Sequence, residues 1–201
     1  VFHAHRDKPD GAPNEVRRLR SAGQPMSLTS TRIMRADGAF AAPGEIGEVV
    51  IRGPAVMSGY WRNDAATRTT LVDGWLHTGD LGTSDEEGFI FVVDRLKEMI
   101  VSGGENIYSR EVENAVTSCA GVIEAAVVGA PDERWGEKVV AFVVKRPDAT
   151  LDAAGVIAHC RGSIAAYKCP KEVRFIEALP KLPNGKVEKY KLKAPLWDKA
   201  R

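Results

Sequence analysis

The stretch 94–109 constrains this chain more than any other, because the residues before and after it are patterned as different kinds of structure. Residues 89–93 are an apolar, β-branched run suited to a buried strand. Residues 94–98 then place four charges in five positions, so the chain is expected to leave a core there. Met99, Ile100 and Val101 resume apolar character before Gly103 and Gly104, a pair that permits positive φ and close approach of the backbone to another chain or a ligand. Ser109 is expected to cap a helix over 110–119, with Val112 and Val116 four apart and acids in the first turn. Strand, charged pivot, glycine turn and helix follow in sequence, and a joint near the middle of 201 residues favours two small cores over one large one.

Before the joint the pattern is β-rich. Residues 1–25 are polar with no convincing hydrophobic period, and the His3 and His5 pair reads better as part of a cut or disordered terminus than as a metal site. Strand patterns cover 32–35 and 47–53, with turns at 36–38 and 43–44 between them. Asn63 is expected to cap a short helix through Leu71, and an Asp73-Gly74 turn leads into 75–82. Beyond the joint, helix 110–119, strand 122–128, loop 131–136, strand 138–144, helix 152–166 and strand 173–176 make a compact α+β unit. A proline-bounded loop over 179–186 and a basic tail from Lys189, helical at its end, complete it.

Composition narrows the function classes. A net charge of +1 provides no global basic field for nucleic acid or membrane binding. Three cysteines, Cys119, Cys160 and Cys169, are scattered without a C-x-x-C pair, which points to a reducing compartment, the cytoplasm. There is no run of about 18 apolar residues and no signal-peptide pattern, so neither a transmembrane segment nor export is expected.

Four features have chemical potential: Asp80, the pair Arg95 and Lys97, the Gly103-Gly104 loop, and Lys186. Each has a plain structural alternative. An Asp in a T-G-D turn after a strand is by itself a turn former bonded to its own backbone. Arg95 and Lys97 can be a surface charge cluster, the glycines a hairpin turn, and Lys186 a solvated side chain after Asn-Gly.

Together and in this order, the residues resemble the acyl-adenylate-forming superfamily of acyl-CoA synthetases, aryl-CoA ligases, luciferases and peptide-synthetase adenylation domains. The resemblance covers nearly the whole chain. Its carriers are Gly47-Glu48-Val49-Val50-Ile51-Arg52-Gly53-Pro54 through Gly59-Tyr60-Trp61, Asp73-Gly74-Trp75-Leu76-His77-Thr78-Gly79-Asp80, the opening stretch, residues 131–137, and Leu182-Pro183-Asn184-Gly185-Lys186. The implied fold class is α+β. Residues 1–96 would be a β-rich remnant of the large N-terminal domain, its distorted-barrel subdomain, and 97–201 a small, mobile α+β C-terminal lid.

The resemblance also implies roles. Asp80 matches the aspartate that accepts hydrogen bonds from both ribose hydroxyls of ATP, and Arg95 the arginine that holds the same nucleotide. Lys97 falls at the hinge on which the lid swings, where peptide-synthetase domains generally carry Asp. Lys186 matches the lysine that touches the carboxylate and the ATP phosphate during adenylation. Gly103 and Gly104 would then replace it beside a tunnel for the pantetheine arm of CoA. Trp135, Tyr167 and Lys171 fall where some ligases place contacts to the CoA nucleotide; packing at a domain edge is the alternative for the two aromatics. Cys169 stands where some relatives have a basic residue. Val101 replaces a lysine that luciferases use, which argues against light-emitting oxidation.

The family's Ser/Thr/Gly-rich phosphate loop and its Thr-Glu segment with the magnesium-linked glutamate do not occur in these residues. Residue 1 is expected to fall just after that segment, so that the N-terminal part of the same protein is missing. The expected whole is an ATP-dependent, AMP-forming acyl-CoA synthetase using a small-molecule carboxylic acid, ATP, Mg2+ and CoA, with the chain inactive in isolation. Two rivals remain at this stage: an adenylation domain that hands its acyl group to a carrier protein, and a non-enzymatic module gripping a polyanion through Lys171 and the basic tail.

Overall fold

A computed structural model describes residues 9–198, so the His3 and His5 pair lies outside the described residues. The chain forms two compact units that part between Lys97 and Glu98. A 3₁₀ turn, Leu96–Glu98, lies where they meet in sequence. The class is α+β, dominated by strands.

The first unit is a five-stranded antiparallel sheet preceded by a short helix, α1 (Pro13–Arg18). Strand β1 (Ser30–Met34) pairs with β2 (Gly47–Arg52). Helix α2 (Asp64–Thr70) leads into β3 (Leu71–Val72), β4 (Trp75–Ser84) and β5 (Ile90–Arg95). The long β4 pairs with β2, β3 and β5. Its core is small, built on Ile33, Val49 and Ile90.

Two features of this unit differ from the sequence pattern. Residues 1–25 show no hydrophobic period, yet α1 forms. Arg17 pairs with Asp85 at 2.7 Å and Arg18 pairs with Glu87, while the Ile90 amide donates to the Gly23 carbonyl at 2.9 Å. Ion pairs and backbone bonds to the β4–β5 turn hold this segment, and neither leaves a periodic signal. The second difference is the run 89–93, which continues as strand through Asp94 and Arg95 because those residues pair with Leu81 and Asp80 on β4. Asp94 is buried and accepts from the Arg95 amide at 2.8 Å, so the charges begin inside the sheet.

The second unit is organised on a long hairpin, β8 (Val122–Asp132) and β9 (Gly136–Lys145). Beside β9 lie β10 (Glu172–Phe175), in parallel, and β6 (Ile100–Ser102), which pairs with β7 (Glu105–Ile107). Side chains on a strand alternate between faces, and here both faces are covered. Val139, Ala141 and Val143 pack with Val112 and Val116 of α3 (Ser109–Thr117) and Val156 and Cys160 of α4 (Ala153–Arg161). Val140 and Phe142 face the other way, toward Leu179 and Leu196, the latter on α5 (Lys189–Asp198). Burial on both sides explains the nearly unbroken Val/Ala run. Among the described residues no helix is long and apolar enough to cross a membrane.

Several expected boundaries move in this unit. Tyr108, not Ser109, occupies the N-cap position of α3; Ser109 is its first helical residue and is fully buried. The expected loop 131–136 is a tight hairpin turn, with the Asp132 carboxylate accepting from the amides of Arg134 and Trp135 at 3.0 Å each. Asp152 caps α4 through the Gly155 amide at 2.8 Å, but the helix ends at Arg161 instead of 166. Gly162 takes the C-cap, and Ala165 turns to extended backbone, φ −58° and ψ 141°, ahead of a separate 3₁₀ turn over Ala166–Lys168.

Candidate functional site

In the first unit the residues 78–80 do not form the turn their sequence suggests. They form a bulge in β4, lying between the pairs Val50 with His77 and Glu48 with Leu81, with Gly79 at φ +71°. Three bonds fix it. The Thr78 hydroxyl donates to the Val49 carbonyl at 2.7 Å, the Asp80 amide donates to the Thr78 hydroxyl at 3.1 Å, and the Gly79 amide donates to Glu48 Oε1 at 2.8 Å. The second Glu48 oxygen lies 2.7 Å from His77 Nδ1. One partly buried carboxylate thus holds both flanks of the bulge.

The bulge turns Asp80 toward the end of β5, where Arg95 Nε meets Asp80 Oδ1 at 2.6 Å. The structure therefore brings together the two residues expected at the nucleotide. Both remain partly exposed, and Asp80 with Thr78 and Val92 lines an open cleft of about 270 Å³. A carboxylate accepts only, and two oxygens at a fixed angle suit a vicinal diol; the guanidinium adds planar donors beside it. Lys97 is exposed in the 3₁₀ turn that follows.

In the second unit Gly103 and Gly104 occupy the β6–β7 turn with φ of +60° and +85°. The Gly103 amide donates to the Trp135 carbonyl at 2.8 Å, and a Cβ on Gly103 would lie 2.8 Å from Trp135 Cε3. The indole is half-exposed, with the Arg134 guanidinium carbon 4.5 Å from the ring centroid. Glycine turn and indole are thus one surface. Tyr167 and Lys171, both exposed, lie on either side of buried Cys169-Pro170. Cys169 belongs to the core with Ile100 and Val112, so the thiol does not present itself to a ligand. Burial raises its pKa, and it pushes the Cys160 thiol up to about 11.

Lys186 sits in an exposed turn. Its amide donates to Asn184 Oδ1 at 3.1 Å, and the Leu182 amide donates to the Lys186 carbonyl at 2.9 Å. Three residues were not singled out in the sequence: Glu48, Glu137 and Lys189. Glu137 Oε2 accepts from the Val101 amide at 3.0 Å. Lys189 Nζ meets Ser109 Oγ at 2.8 Å, Glu113 Oε1 at 2.7 Å and Glu98 Oε2 at 2.9 Å. The only local clue to Lys189 is its four-residue spacing from Lys193 on one helix face.

Comparison with known proteins gives these geometries a family. The profile of the AMP-binding enzyme C-terminal domain matches residues 111–186, and that of the AMP-binding enzyme matches residues 2–61. Sulfoacetate–CoA ligase of Cupriavidus necator is 46% identical over 177 residues, which are 88% of this chain and 35% of that protein. Indoleacetate–CoA ligase of Aromatoleum aromaticum is 49% identical over 173 residues, 86% of this chain and 34% of that protein. The crystal structure of ATP-bound MatB from Rhodopseudomonas palustris matches with a TM-score of 0.84 at 35% identity, covering 90% of this chain and 37% of its own. The chain belongs to the AMP-binding, adenylate-forming enzyme family. It spans about a third of the length of the curated relatives it matches.

Proposed function

We propose that this chain is part of an ATP-dependent, AMP-forming acyl-CoA synthetase. A carboxylate oxygen attacks the ATP α-phosphorus and pyrophosphate leaves; the CoA thiol, losing its proton, then attacks the acyl carbon and AMP leaves. The observation that carries the reading is the continuous likeness to two CoA ligases through both units. The paired Asp80 and Arg95 support it, as a ready set of acceptors and donors for a ribose and its phosphate. In this reading Lys97 is the hinge of a mobile lid, and Lys186 serves adenylation. Gly103, Gly104 and Trp135, with Tyr167 and Lys171, then serve CoA. Magnesium accompanies ATP on the glutamate of the family's Thr-Glu segment; among the described residues no group of three or more His, Cys, Asp or Glu side chains is placed to hold an ion. With its cysteines free and buried, the protein is assigned to the cytoplasm.

The polyanion rival loses ground, because the described cations of the basic tail are paired: Lys189 with Glu98 and Glu113, Lys191 with Glu188 and Lys193 with Glu137. Between CoA and a carrier protein as acceptor, the two CoA ligases above favour CoA, and the acceptor assay decides. The test extends the chain with its native upstream sequence to the length of its relatives and assays pyrophosphate release over a panel of carboxylic acids, with CoA or a carrier protein as acceptor. Transfer to the carrier and none to CoA overturns the reading. The 201-residue chain alone is expected to show no carboxylate-dependent ATP–pyrophosphate exchange.

Glu48 supplies a narrower test. Glu48→Ala frees the Gly79 amide and His77, so the bulge no longer fixes Asp80. In the extended protein the KM for ATP is expected to rise about tenfold, the equivalent of one or two hydrogen bonds, with kcat nearly unchanged. An unaltered KM removes Glu48 from this role.

A further inference from the structure

The turn that carries Lys186 is short and exposed, yet its base is held unusually firmly. Lys181 pairs with Val187, and the Glu188 amide donates to the Pro180 carbonyl at 2.8 Å. The next residue, Lys189, opens α5 and sends its side chain inward. Its ammonium uses its three donors on three partners: Glu98 at 2.9 Å, Glu113 at 2.7 Å and Ser109 at 2.8 Å. Lys189 and Glu113 are each 16% exposed, and Glu98 is 24% exposed. Glu113 is itself fixed to the sheet, because its Oε1 accepts from the Val127 amide at 2.9 Å. Burial acts to lower the pKa of Lys189, but the charge and hydrogen bonds of Glu113 and Glu98 outweigh it, so the net shift is upward and the group stays an ammonium.

The identity of the partners matters more than their number. Glu98 is the first residue of the second unit, immediately after Lys97. Along the chain it is far from Lys186, and through Lys189 it is joined to the base of the Lys186 turn. One helical turn further, Lys193 reaches Glu137 Oε1 at 3.4 Å, while the other oxygen of Glu137 holds the Val101 amide. Helix α5 is therefore tied on one face to the chain entering the unit and to the strand before Gly103. Apolar side chains in place of Lys189, Glu98 and Glu113 together could fill the same space with equal or better stability, whereas removing Lys189 alone leaves two partly buried carboxylates without their cation. Apolar packing could not hold these segments in one direction.

We propose that Lys189 is a positioning residue that locks the segment leaving Lys97 to the base of the Lys186 turn, so that rotation at Lys97 carries Lys186 as part of one rigid body. This rests on the synthetase reading for its purpose, but not for its mechanics. A side chain delivered by a swinging unit reaches its target only if nothing yields between pivot and tip, and a misplacement of about 1 Å can cost about 100-fold in rate.

Two experiments test it. In the 201-residue chain, amide hydrogen exchange is compared for the parent, Lys189→Met, Lys189→Arg and Glu98→Ala. Lys189→Met is expected to speed exchange about tenfold in 98–101 and 181–188 while the β8–β9 core is unchanged, and Lys189→Arg to restore protection. A uniform rise across the unit, or no rise, overturns the proposal. In the extended protein, Glu98→Ala removes only the entry-side contact. It is expected to lower kcat for adenylation about 10- to 100-fold with the KM values for ATP and acid unchanged, and to spare thioester formation from supplied acyl-adenylate. Equal loss in both half-reactions, or none, overturns it as well. If the extended parent forms no acyl-adenylate at all, the synthetase reading fails, while the exchange experiment still decides the lock.

Discussion

Lys186→Ala, in the protein extended to the length of its relatives, is expected to lower the adenylation half-reaction by about 100- to 1,000-fold and to leave thioester formation from supplied acyl-adenylate near the parent rate. The turn itself should survive the change. Its hydrogen bonds run through the backbone of Leu182, Gly185 and Lys186 and through the Asn184 side chain, and none uses the lysine side chain. In the proposed role, what is lost is a cation on a long stem that meets the negative charge growing as pyrophosphate departs. Such a donor acts only in the transition state, so kcat should fall with little change in KM. Pyrophosphate exchange reads the first half-reaction, and CoA-dependent release of AMP from acyl-adenylate reads the second. Equal loss in both would remove the assigned role and leave Lys186 a surface residue of the turn.

Local chemistry was legible at several positions whose partner lies within a few residues. Asn63 caps α2 through the Ala66 amide, and Gly103 and Gly104 take the positive φ that their pairing suggested. Val112 and Val116, four apart, are both fully buried. Partners distant in sequence were not legible. Residues 78–80 look like a turn because nothing local reveals that Glu48 and Val49 across the sheet hold them as a bulge. Asp94 and Arg95 look like the end of a strand because their pairing to β4 is invisible along the chain. Ser109 has the chemistry of a cap, but its hydroxyl is taken by Lys189 from the far end of the unit. The same limit separates the candidate residues. Asp80, Arg95 and Lys186 could be named from ordered motifs, whereas Glu48 and Glu137 lie inside motif blocks without a role the sequence reveals and Lys189 lies outside them; all three become visible as holding residues only through contacts.

Gly103→Val should disable the step that Lys186→Ala spares. At φ +60° a residue with a side chain costs about 1–2 kcal/mol, and a β-branched one more. The new Cβ would also lie 2.8 Å from Trp135 Cε3 and 3.2 Å from Cζ3, so the indole or the turn must move. The hydrogen bond from the Gly103 amide to the Trp135 carbonyl ties the two together, which leaves little freedom to separate them without breaking it. A loss of about 2–4 kcal/mol from the second unit is expected, read from its urea midpoint. Thioester formation should fall about 100-fold while adenylation, the step proposed for Lys186, falls far less. Gly104→Val provides the control within the same turn. Its φ of +85° imposes a similar backbone cost, but nothing lies within 4 Å of its added Cβ. If the glycines matter only as a hairpin, the two substitutions should act alike on both half-reactions. If Gly103 matters because it seats the indole beside the path of an extended thiol, only its replacement should divide the half-reactions.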